Sequence, residues 1–203
     1  MRFKKENIPN YLSLFRILLV PVYIFFFFGF AHFSVRDRGL FASGIVFLVA
    51  GLTDALDGFL ARKFGWTSDV GKLLDPLADK MMELTATICL AVKFRGPFIV
   101  LAAIITVKEF LMVVGGYLIM SKSKVYVSSS WFGKMATLIW YTLICLVNFF
   151  PPIRDLVWFR DLLCVVLIAF MIFSFVMYLL SYSSQIKKTK DAIVQDTKQV
   201  LKK

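Results

Sequence analysis

The chain has 203 residues, a hydrophobic fraction of 59% and a mean hydropathy of +0.76. Because soluble domains are only about half apolar, this composition excludes an ordinary soluble domain and indicates an integral membrane protein. The formal net charge is +11, but the basic residues are divided among short segments between apolar runs and a C-terminal tail. This distribution favours anionic membrane lipids, and not nucleic acid, as the partner.

Apolar runs recur along the chain, and each is near the roughly 20 residues that an α-helix needs to cross the hydrocarbon core. They predict an all-α, polytopic membrane protein built as a bundle of about six transmembrane helices. The predicted spans are residues 11–30, 40–60, 73–92, 97–120, 135–150 and 156–180.

The segments that flank the spans differ from them in composition. Residues 1–10 mix basic and apolar side chains, and we predict a short N-terminal interfacial segment there. Residues 11–184 would form the helical domain, and residues 185–203 a basic C-terminal tail near the anionic leaflet. The first span has no small-residue cleavage site after a short apolar region, so we expect it to be retained and not removed as a signal peptide.

The placement of lysine and arginine predicts the orientation, because loops that remain in the cytoplasm carry the excess of positive charge. With six spans, both termini lie on the same side of the membrane. That side holds fifteen of these basic residues, and the opposite side holds six. Both termini are therefore predicted to face the cytoplasm.

Four aspartates lie at the second and third predicted spans, with small residues between them. The array reads D-x2-D-G-x2-A-R-x8-G-x3-D-x3-D and comprises Asp54, Asp57, Gly58, Ala61, Arg62, Gly71, Asp75 and Asp79. A carboxylate within a membrane segment costs several kcal/mol, so four together need a strong compensating charge. A bound divalent metal ion would supply it.

Helical spacing predicts that these carboxylates face one another. Residues three or four apart share a helix face, so Asp54 and Asp57 lie on one side of the second span, and Asp75 and Asp79 on one side of the third. The connection at residues 63–70 is short, which makes the two helices antiparallel neighbours. We therefore expect the aspartates to converge near the cytoplasmic interface.

The ligand type restricts the metal. Oxygen ligands without histidine or cysteine favour Mg²⁺ or Mn²⁺ over zinc, and Mg²⁺ commonly shares its ligand shell with substrate phosphates. The three cysteines, Cys89, Cys145 and Cys164, show no metal-ligand spacing and are expected to be buried thiols without a disulfide. A carboxylate that does not hold metal could take a proton from an attacking hydroxyl. Arg62 offers a planar fork suited to phosphate oxygens.

On these residues alone, three interpretations of the aspartates remain open. They are metal-dependent catalysis, a cation channel or transporter lined by carboxylates, and a structural ion-pair cluster. Lys80, Lys108 and Glu109 also lie at membrane depth, where they could neutralise one another or line the same cavity.

The spacing from Asp54 to Asp79 resembles, at every fixed position, the signature of the CDP-alcohol phosphotransferase family. Residues 7–21 (NIPNYLSLFRILLVP) and 75–80 (DPLADK) are similar to the bacterial branch of that family that makes phosphatidylglycerophosphate. The resemblance is strongest over roughly residues 1–85. It implies a six-helix membrane transferase of phospholipid biosynthesis, which moves a phosphatidyl group from CDP-diacylglycerol to an alcohol and releases CMP.

The resemblance also implies roles for the motif residues. Asp54, Asp57 and Asp75 would be metal ligands, and Asp79 would be the general base and a candidate ligand of a second metal. The cofactor would be one or two Mg²⁺ or Mn²⁺ ions. A homodimer in the bacterial cytoplasmic membrane is expected, with the active site on the cytoplasmic side. The positions expected to accommodate the CDP group are Gly58, Ala61, Arg62 and Gly71.

Glycerol 3-phosphate is the expected acceptor, because an anionic substrate needs cations near the base. Relatives usually carry Arg-Glu in the fourth span where this chain has Lys108-Glu109, and lysine lacks the bidentate fork of arginine. Phosphatidylglycerol, which would make the chain a cardiolipin synthase, is the alternative acceptor. Another alcohol is a further alternative, and a divalent-cation transporter a distant one. The candidate cations are Lys80, Lys108, Lys134 and Arg16, and a structural, snorkelling role is equally open for Arg16.

Overall fold

The computed structural model describes residues 8–29, 36–64, 69–123 and 131–200, although several of their side chains, including those at 61–62, 112–123 and 181–200, lie outside the description. Within these ranges the chain forms helices and no strands. The helices are α1 (Ile8–Gly29), α2 (Arg36–Phe64), α3 (Asp69–Phe94), α4 (Pro97–Ser123), α5 (Trp131–Phe149), α6 (Pro151–Asp155) and α7 (Val157–Val200).

The predicted all-α architecture is confirmed, and each predicted span falls on one of the longer helices. Over their described residues, three segments are long and apolar enough to cross a membrane: Asn10–Gly29, Arg38–Leu60 and Val157–Met177. Gly133–Phe149 is a shorter apolar helix. The total of six crossings remains a prediction.

The structure describes the helix that contains most of the predicted C-terminal tail, but it describes little of the predicted N-terminal segment. Most of the predicted interfacial segment, residues 1–7, lies outside the described residues. The predicted tail, from residue 185, continues α7 as one helix as far as Val200. The domain boundaries remain predictions.

Proline and glycine set the tight connections at one end of the bundle. Arg95 and Gly96 join α3 to α4 with positive φ angles of 55° and 51°, a conformation that glycine adopts freely and other residues rarely. Pro97 then begins α4, where the missing N–H is not needed. The first residues of α6 are likewise Pro151 and Pro152.

Helix α1 lies between α2 and α3 and packs more extensively on each of them than they pack on one another. The sequence predicted that α2 and α3 are direct neighbours. They do touch, but most of the packing that holds them together passes through α1. On the other side of the bundle, α5 packs against α2 and α7, and α4 packs against α3 and α7.

Buried aromatic side chains fill the centre of the bundle. Tyr23, Phe47 and Trp140 are almost completely buried, and the Trp140 indole donates a hydrogen bond of 3.0 Å to Thr87 Oγ1. All three cysteines are free thiols. Cys89 and Cys164 are buried, as predicted, whereas Cys145 is only half-buried. Large apolar side chains also cover the outer surface, among them Phe25, Phe110 and Val165. Such a surface is expected where lipid surrounds the protein.

Two glycines allow α5 to approach α2 closely. A Cβ atom at Gly44 would lie 2.8 Å from the Phe149 ring and 3.0 Å from Asn148 Cβ, and one at Gly51 would lie 3.3 Å from Tyr141 Cε1. All three distances are shorter than ordinary van der Waals contact. Because Gly51 has no side chain, the Tyr141 ring of α5 packs directly against α2. This contact lies one helical turn before Asp54, the first aspartate of the motif.

Candidate active site

Three motif aspartates converge at one end of the bundle. Asp54 and Asp57 lie on α2 and Asp75 on α3, and each offers a carboxylate oxygen within 4.8 Å of the other two. Asp57 is buried, with a side chain 3% exposed, whereas Asp54 and Asp75 are half-exposed. The convergence predicted from helical spacing is therefore confirmed for these three residues. We refer to them as the aspartate cluster.

The guanidinium of Arg16 on α1 lies among these three carboxylates. Its Nη1 is 2.8 Å from Asp54 Oδ1 and 3.3 Å from Asp75 Oδ1, and its Nη2 donates a hydrogen bond to Asp57 Oδ2. Arg16 is 1% exposed. Removing a charged group this far from water is costly unless opposite charges surround it, so Arg16 and the aspartate cluster stabilise one another. Sequence analysis proposed Arg16 as a ligand of the acceptor phosphate, and the structure places it beside the candidate metal ligands.

The aspartate cluster fits a divalent cation in charge and in ligand type. Three carboxylates and one guanidinium have a formal charge of −2, which one divalent ion would balance. The ligands are all carboxylate oxygens, the hard donors that Mg²⁺ and Mn²⁺ prefer. Because Asp54 and Asp75 are half-exposed, an ion bound there would remain open to a substrate phosphate.

Asp79 lies one helical turn after Asp75 on α3 and beside the aspartate cluster. It is half-buried, and the charges of Lys80, Asp54, Glu83 and Arg16 all act on it. A partly exposed carboxylate next to the cluster is positioned to meet a substrate group that approaches the three aspartates.

A second set of charged residues, which we call the Lys–Glu quartet, comes from two helices, with Lys80 and Glu83 on α3 and Lys108 and Glu109 on α4. Lys80 Nζ is 2.7 Å from Glu83 Oε2 and 3.0 Å from Glu109 Oε2, and Lys108 Nζ is 2.8 Å from Glu109 Oε1. The four formal charges cancel. Of the two roles that the sequence left open for Lys80, Lys108 and Glu109, mutual neutralisation is therefore present in the structure.

Sequence analysis missed two residues at this site. Glu83 is 4% exposed, and its position, four residues after Asp79 and three after Lys80, could have indicated that it shares their face of α3. Tyr141 lies within electrostatic reach of Asp79, Asp54 and Glu83. No spacing pattern links it to them, because it reaches the site only through the packing of α5 on α2.

The other predicted site residues are placed as follows. Gly58 on α2 and Gly71 on α3 are half-buried. Lys134 is exposed on α5 and takes no part in the ion pairs of the Lys–Glu quartet. The side chains of Ala61 and Arg62 lie outside the described residues, so their roles remain predictions.

A comparison with protein families decides between the open interpretations. The model of the CDP-alcohol phosphatidyltransferase family matches residues 6–180, which is most of the chain. The chain belongs to this family. The predicted enzyme class is therefore confirmed, and with its apolar helices the protein is an integral membrane protein.

Individual relatives agree with the family assignment. A protein from Haemophilus influenzae is 34% identical over 142 residues, which cover 66% of this chain and 70% of the relative. One from Blochmanniella floridana is 42% identical over 89 residues, less than half of either chain, and one from Escherichia coli K12 is 32% identical over 133 residues, 70% of its length. All three are named CDP-diacylglycerol--glycerol-3-phosphate 3-phosphatidyltransferase.

Family membership gives the geometry a chemical meaning. In a CDP-alcohol phosphatidyltransferase, a diphosphate bond must be broken and a hydroxyl must lose its proton. The aspartate cluster offers a place for a cation that would neutralise the diphosphate, and Asp79 is a carboxylate beside it. Four carboxylates therefore lie together where about one turn of α2 meets about one turn of α3.

Proposed function

We propose that the chain transfers a phosphatidyl group from CDP-diacylglycerol to glycerol 3-phosphate, giving phosphatidylglycerophosphate and CMP. The observation that carries this proposal is the convergence of Asp54, Asp57 and Asp75 from two helices, within the region that matches the family. The choice of acceptor is supported by the relatives named for glycerol 3-phosphate.

In this reaction Asp54, Asp57 and Asp75 would hold one or two Mg²⁺ or Mn²⁺ ions, which would supply positive charge beside the diphosphate. Arg16 fixes the carboxylates of two helices in one place, which limits the reorganisation needed when the substrate arrives. The remaining motif positions leave room for the donor nucleotide and contact its phosphates. They are Gly58, Ala61, Arg62 and Gly71.

Asp79 accepts the proton of the acceptor hydroxyl. The acceptor oxygen then forms a bond to the phosphorus that carries the diacylglycerol, and the bond from that phosphorus to the oxygen of the CMP phosphate breaks. CMP leaves with the electron pair of that bond, and Asp79 retains the proton. The half-buried position of Asp79 beside the aspartate cluster supports this role. Asp79 also remains a candidate ligand of a second ion.

The Lys–Glu quartet supports an acceptor-phosphate subsite next to Asp79. A phosphate dianion would compete with Glu109 for Lys80 and Lys108, whose ammonium groups lie 3.0 and 2.8 Å from that carboxylate. Lysine meets phosphate as a point charge and can exchange one partner for another by rotating its flexible stem. Lys134 is exposed on α5 and is the more distant candidate.

The proposal extends to the cellular setting of the enzyme. The aspartate cluster and both termini face the cytoplasm of a bacterium, because the basic residues are concentrated on their side of the predicted topology. The basic C-terminal tail contacts anionic lipids at that surface. The active form is a homodimer.

The experiment supplies one acceptor at a time to the purified full-length chain with CDP-diacylglycerol and Mn²⁺. Glycerol 3-phosphate, phosphatidylglycerol, inositol phosphate and serine are compared, and the lipid product is identified by mass. We expect phosphatidylglycerophosphate and an equal amount of CMP. Cardiolipin from phosphatidylglycerol alone would instead favour the alternative acceptor. Mn²⁺ uptake into vesicles without CMP release would favour the transporter.

A further inference from the structure

Tyr141 on α5 brings a hydroxyl group close to the active-site end of α2. A Cβ atom at Gly51 would lie 3.3 Å from Tyr141 Cε1 and 3.9 Å from the Tyr141 hydroxyl oxygen. Asp54 follows Gly51 by three residues and shares its face of α2, and Cβ atoms at this spacing are about 5–6 Å apart. The Tyr141 hydroxyl therefore lies within about one helical turn of Asp54.

Contacts with two other helices hold the Tyr141 ring in place. Its centroid is 5.0 Å from that of the Phe47 ring on α2, with an angle of 36° between the ring planes. The preceding residue, Trp140, donates a hydrogen bond of 3.0 Å to Thr87 Oγ1 on α3. Thr87 in turn donates one of 2.8 Å to the backbone carbonyl of Glu83. Because α5 is attached here to both α2 and α3, the position of the hydroxyl is fixed before a substrate binds.

The Tyr141 hydroxyl has hydrogen-bonding capacity that the fold does not use. Among the residues that the structure describes, it makes no hydrogen bond, although the charges of Asp79, Asp54 and Glu83 all act on it. A tyrosine hydroxyl that is removed from bulk water usually has a hydrogen-bond partner. Tyr141 is only half-buried, so a molecule bound beside Asp79 can reach it and supply that partner.

The proposed acceptor has one group that the other site residues do not meet. In glycerol 3-phosphate, one terminal hydroxyl reacts at Asp79, and the phosphate at the other end contacts Lys80 and Lys108. The hydroxyl on the middle carbon lies between these two ends. Tyr141 is within electrostatic reach of Asp79 at one end and of Glu83, which pairs with Lys80, at the other. Its hydroxyl can both donate and accept a hydrogen bond, as the middle hydroxyl can.

We propose that Tyr141 determines acceptor specificity by donating a hydrogen bond to the middle hydroxyl of glycerol 3-phosphate. This inference rests on the proposed function, from which it takes the acceptor and the positions of its two ends. An acceptor without the middle hydroxyl leaves the Tyr141 hydroxyl unpaired, and sites that hydrogen-bond a substrate hydroxyl discriminate against such analogues. Tyr141 takes no part in the proton transfer to Asp79.

The test compares two acceptors in wild type and in Tyr141→Phe, using the purified full-length chain, CDP-diacylglycerol and Mn²⁺. The acceptors are glycerol 3-phosphate and 3-hydroxypropyl phosphate, which lacks only the middle hydroxyl. We expect the KM for glycerol 3-phosphate to rise about fivefold in Tyr141→Phe, as for the loss of one hydrogen bond between neutral groups. The KM for CDP-diacylglycerol and the KM for 3-hydroxypropyl phosphate should stay unchanged. If the analogue reacts too slowly, its inhibition constant against glycerol 3-phosphate is compared instead.

Tyr23→Phe is the matched control. Tyr23 is fully buried and contacts the same Phe47 ring, with centroids 6.4 Å apart. The substitution likewise removes one hydroxyl from a packed ring, but Tyr23 is not among the residues of the proposed acceptor site. Both acceptors should therefore have wild-type KM values in Tyr23→Phe.

Three results would overturn the proposal, and they have different meanings. An unchanged KM for glycerol 3-phosphate in Tyr141→Phe would show that the hydroxyl does not contact this acceptor. An equal rise for both acceptors would assign Tyr141 a structural role, because that effect does not depend on the middle hydroxyl. If the wild type itself releases no CMP with glycerol 3-phosphate, the proposed function fails and this inference fails with it.

Discussion

Arg16 joins carboxylates that come from two different helices. It extends from α1 into the space between Asp54, Asp57 and Asp75, so one side chain satisfies charges that α2 and α3 cannot satisfy for one another. A planar guanidinium can meet several carboxylates at once, which the single ammonium of lysine cannot do with the same geometry. Arg16 therefore organises the site even though it is remote from the aspartates in sequence.

Replacing Arg16 should destabilise the protein most strongly when no metal is present. Arg16→Gln leaves Asp57 buried without its partner, and breaking a buried ion pair costs about 3–5 kcal/mol. Arg16→Lys keeps the charge and should cost less. We expect melting temperatures in EDTA to fall in the order wild type, Arg16→Lys, Arg16→Gln, and added Mn²⁺ to narrow the differences. Equal melting temperatures in EDTA would contradict this role.

Asp79→Asn should separate donor binding from turnover. The amide keeps the shape of the side chain but cannot accept the hydroxyl proton, and general-base catalysis contributes about 10²–10⁴-fold to rate. We expect CMP release to fall by that factor while the affinity for CDP-diacylglycerol stays close to wild type. CMP release at a near-wild-type rate would remove Asp79 from the role of base.

Lys108→Ala should weaken the acceptor and leave the donor unaffected. A hydrogen bond to a charged group contributes about 1.5–3 kcal/mol, so the KM for glycerol 3-phosphate should rise roughly tenfold or more, while the KM for CDP-diacylglycerol is unchanged. Lys63→Ala removes an exposed lysine and serves as the matched control. If the acceptor KM is the same in Lys108→Ala as in wild type, Lys108 only neutralises Glu109.

Among the helices, the contact of α2 with α5 depends on glycine. Gly44→Ala would place a Cβ 2.8 Å from the Phe149 ring and 3.0 Å from Asn148 Cβ, and overpacking of this kind costs about 1–3 kcal/mol. Gly29→Ala is the matched control, because its Cβ would meet Phe25 at an ordinary 3.7 Å. We expect only Gly44→Ala to lower the melting temperature by several degrees. Equal effects of the two substitutions would show that α2 and α5 are not closely packed at Gly44.

The helices and the aspartate cluster could be predicted because both follow from periodicity within single segments. Apolar length indicates each long helix, and a spacing of three or four residues places Asp54 with Asp57. The position of Arg16 could not be predicted in the same way, because it depends on α1 lying between α2 and α3. Tyr141 was missed for the same kind of reason, since only the contact of α5 with Gly51 brings it to the site.

The sequence patterns also did not predict the short helix α6 or the full length of α7. Helix α6 has five residues, begins with two prolines and contains the buried Arg154. No apolar repeat in the sequence predicts it. Helix α7 continues through the polar tail to Val200, whereas hydropathy predicted only that the membrane span ends near residue 180 and left a flexible tail or a surface helix open beyond it. Hydropathy reports where lipid contact ends, whereas backbone hydrogen bonding can extend a helix beyond that point.

At the scale of the whole molecule, an apolar belt of exposed side chains separates two charged ends. One end carries the aspartate cluster, Asp79 and the Lys–Glu quartet, and the other carries a cavity lined in part by Lys93, Arg154, Asp155 and Arg160. The charges at each end are gathered into compact groups, which limits the number of polar side chains that face lipid. This arrangement suits an enzyme whose donor substrate and product are both lipids.

The central claim is that the aspartate cluster binds a divalent ion and that this ion is required for phosphatidyl transfer. The most direct measurement is CMP release from CDP-diacylglycerol and glycerol 3-phosphate by the purified chain, first in EDTA and then with Mg²⁺ or Mn²⁺ restored. Wild-type protein should be inactive in EDTA and recover with either ion, whereas Asp57→Ala should stay inactive at every metal concentration. Full CMP release in EDTA, or wild-type metal dependence in Asp57→Ala, would contradict the account.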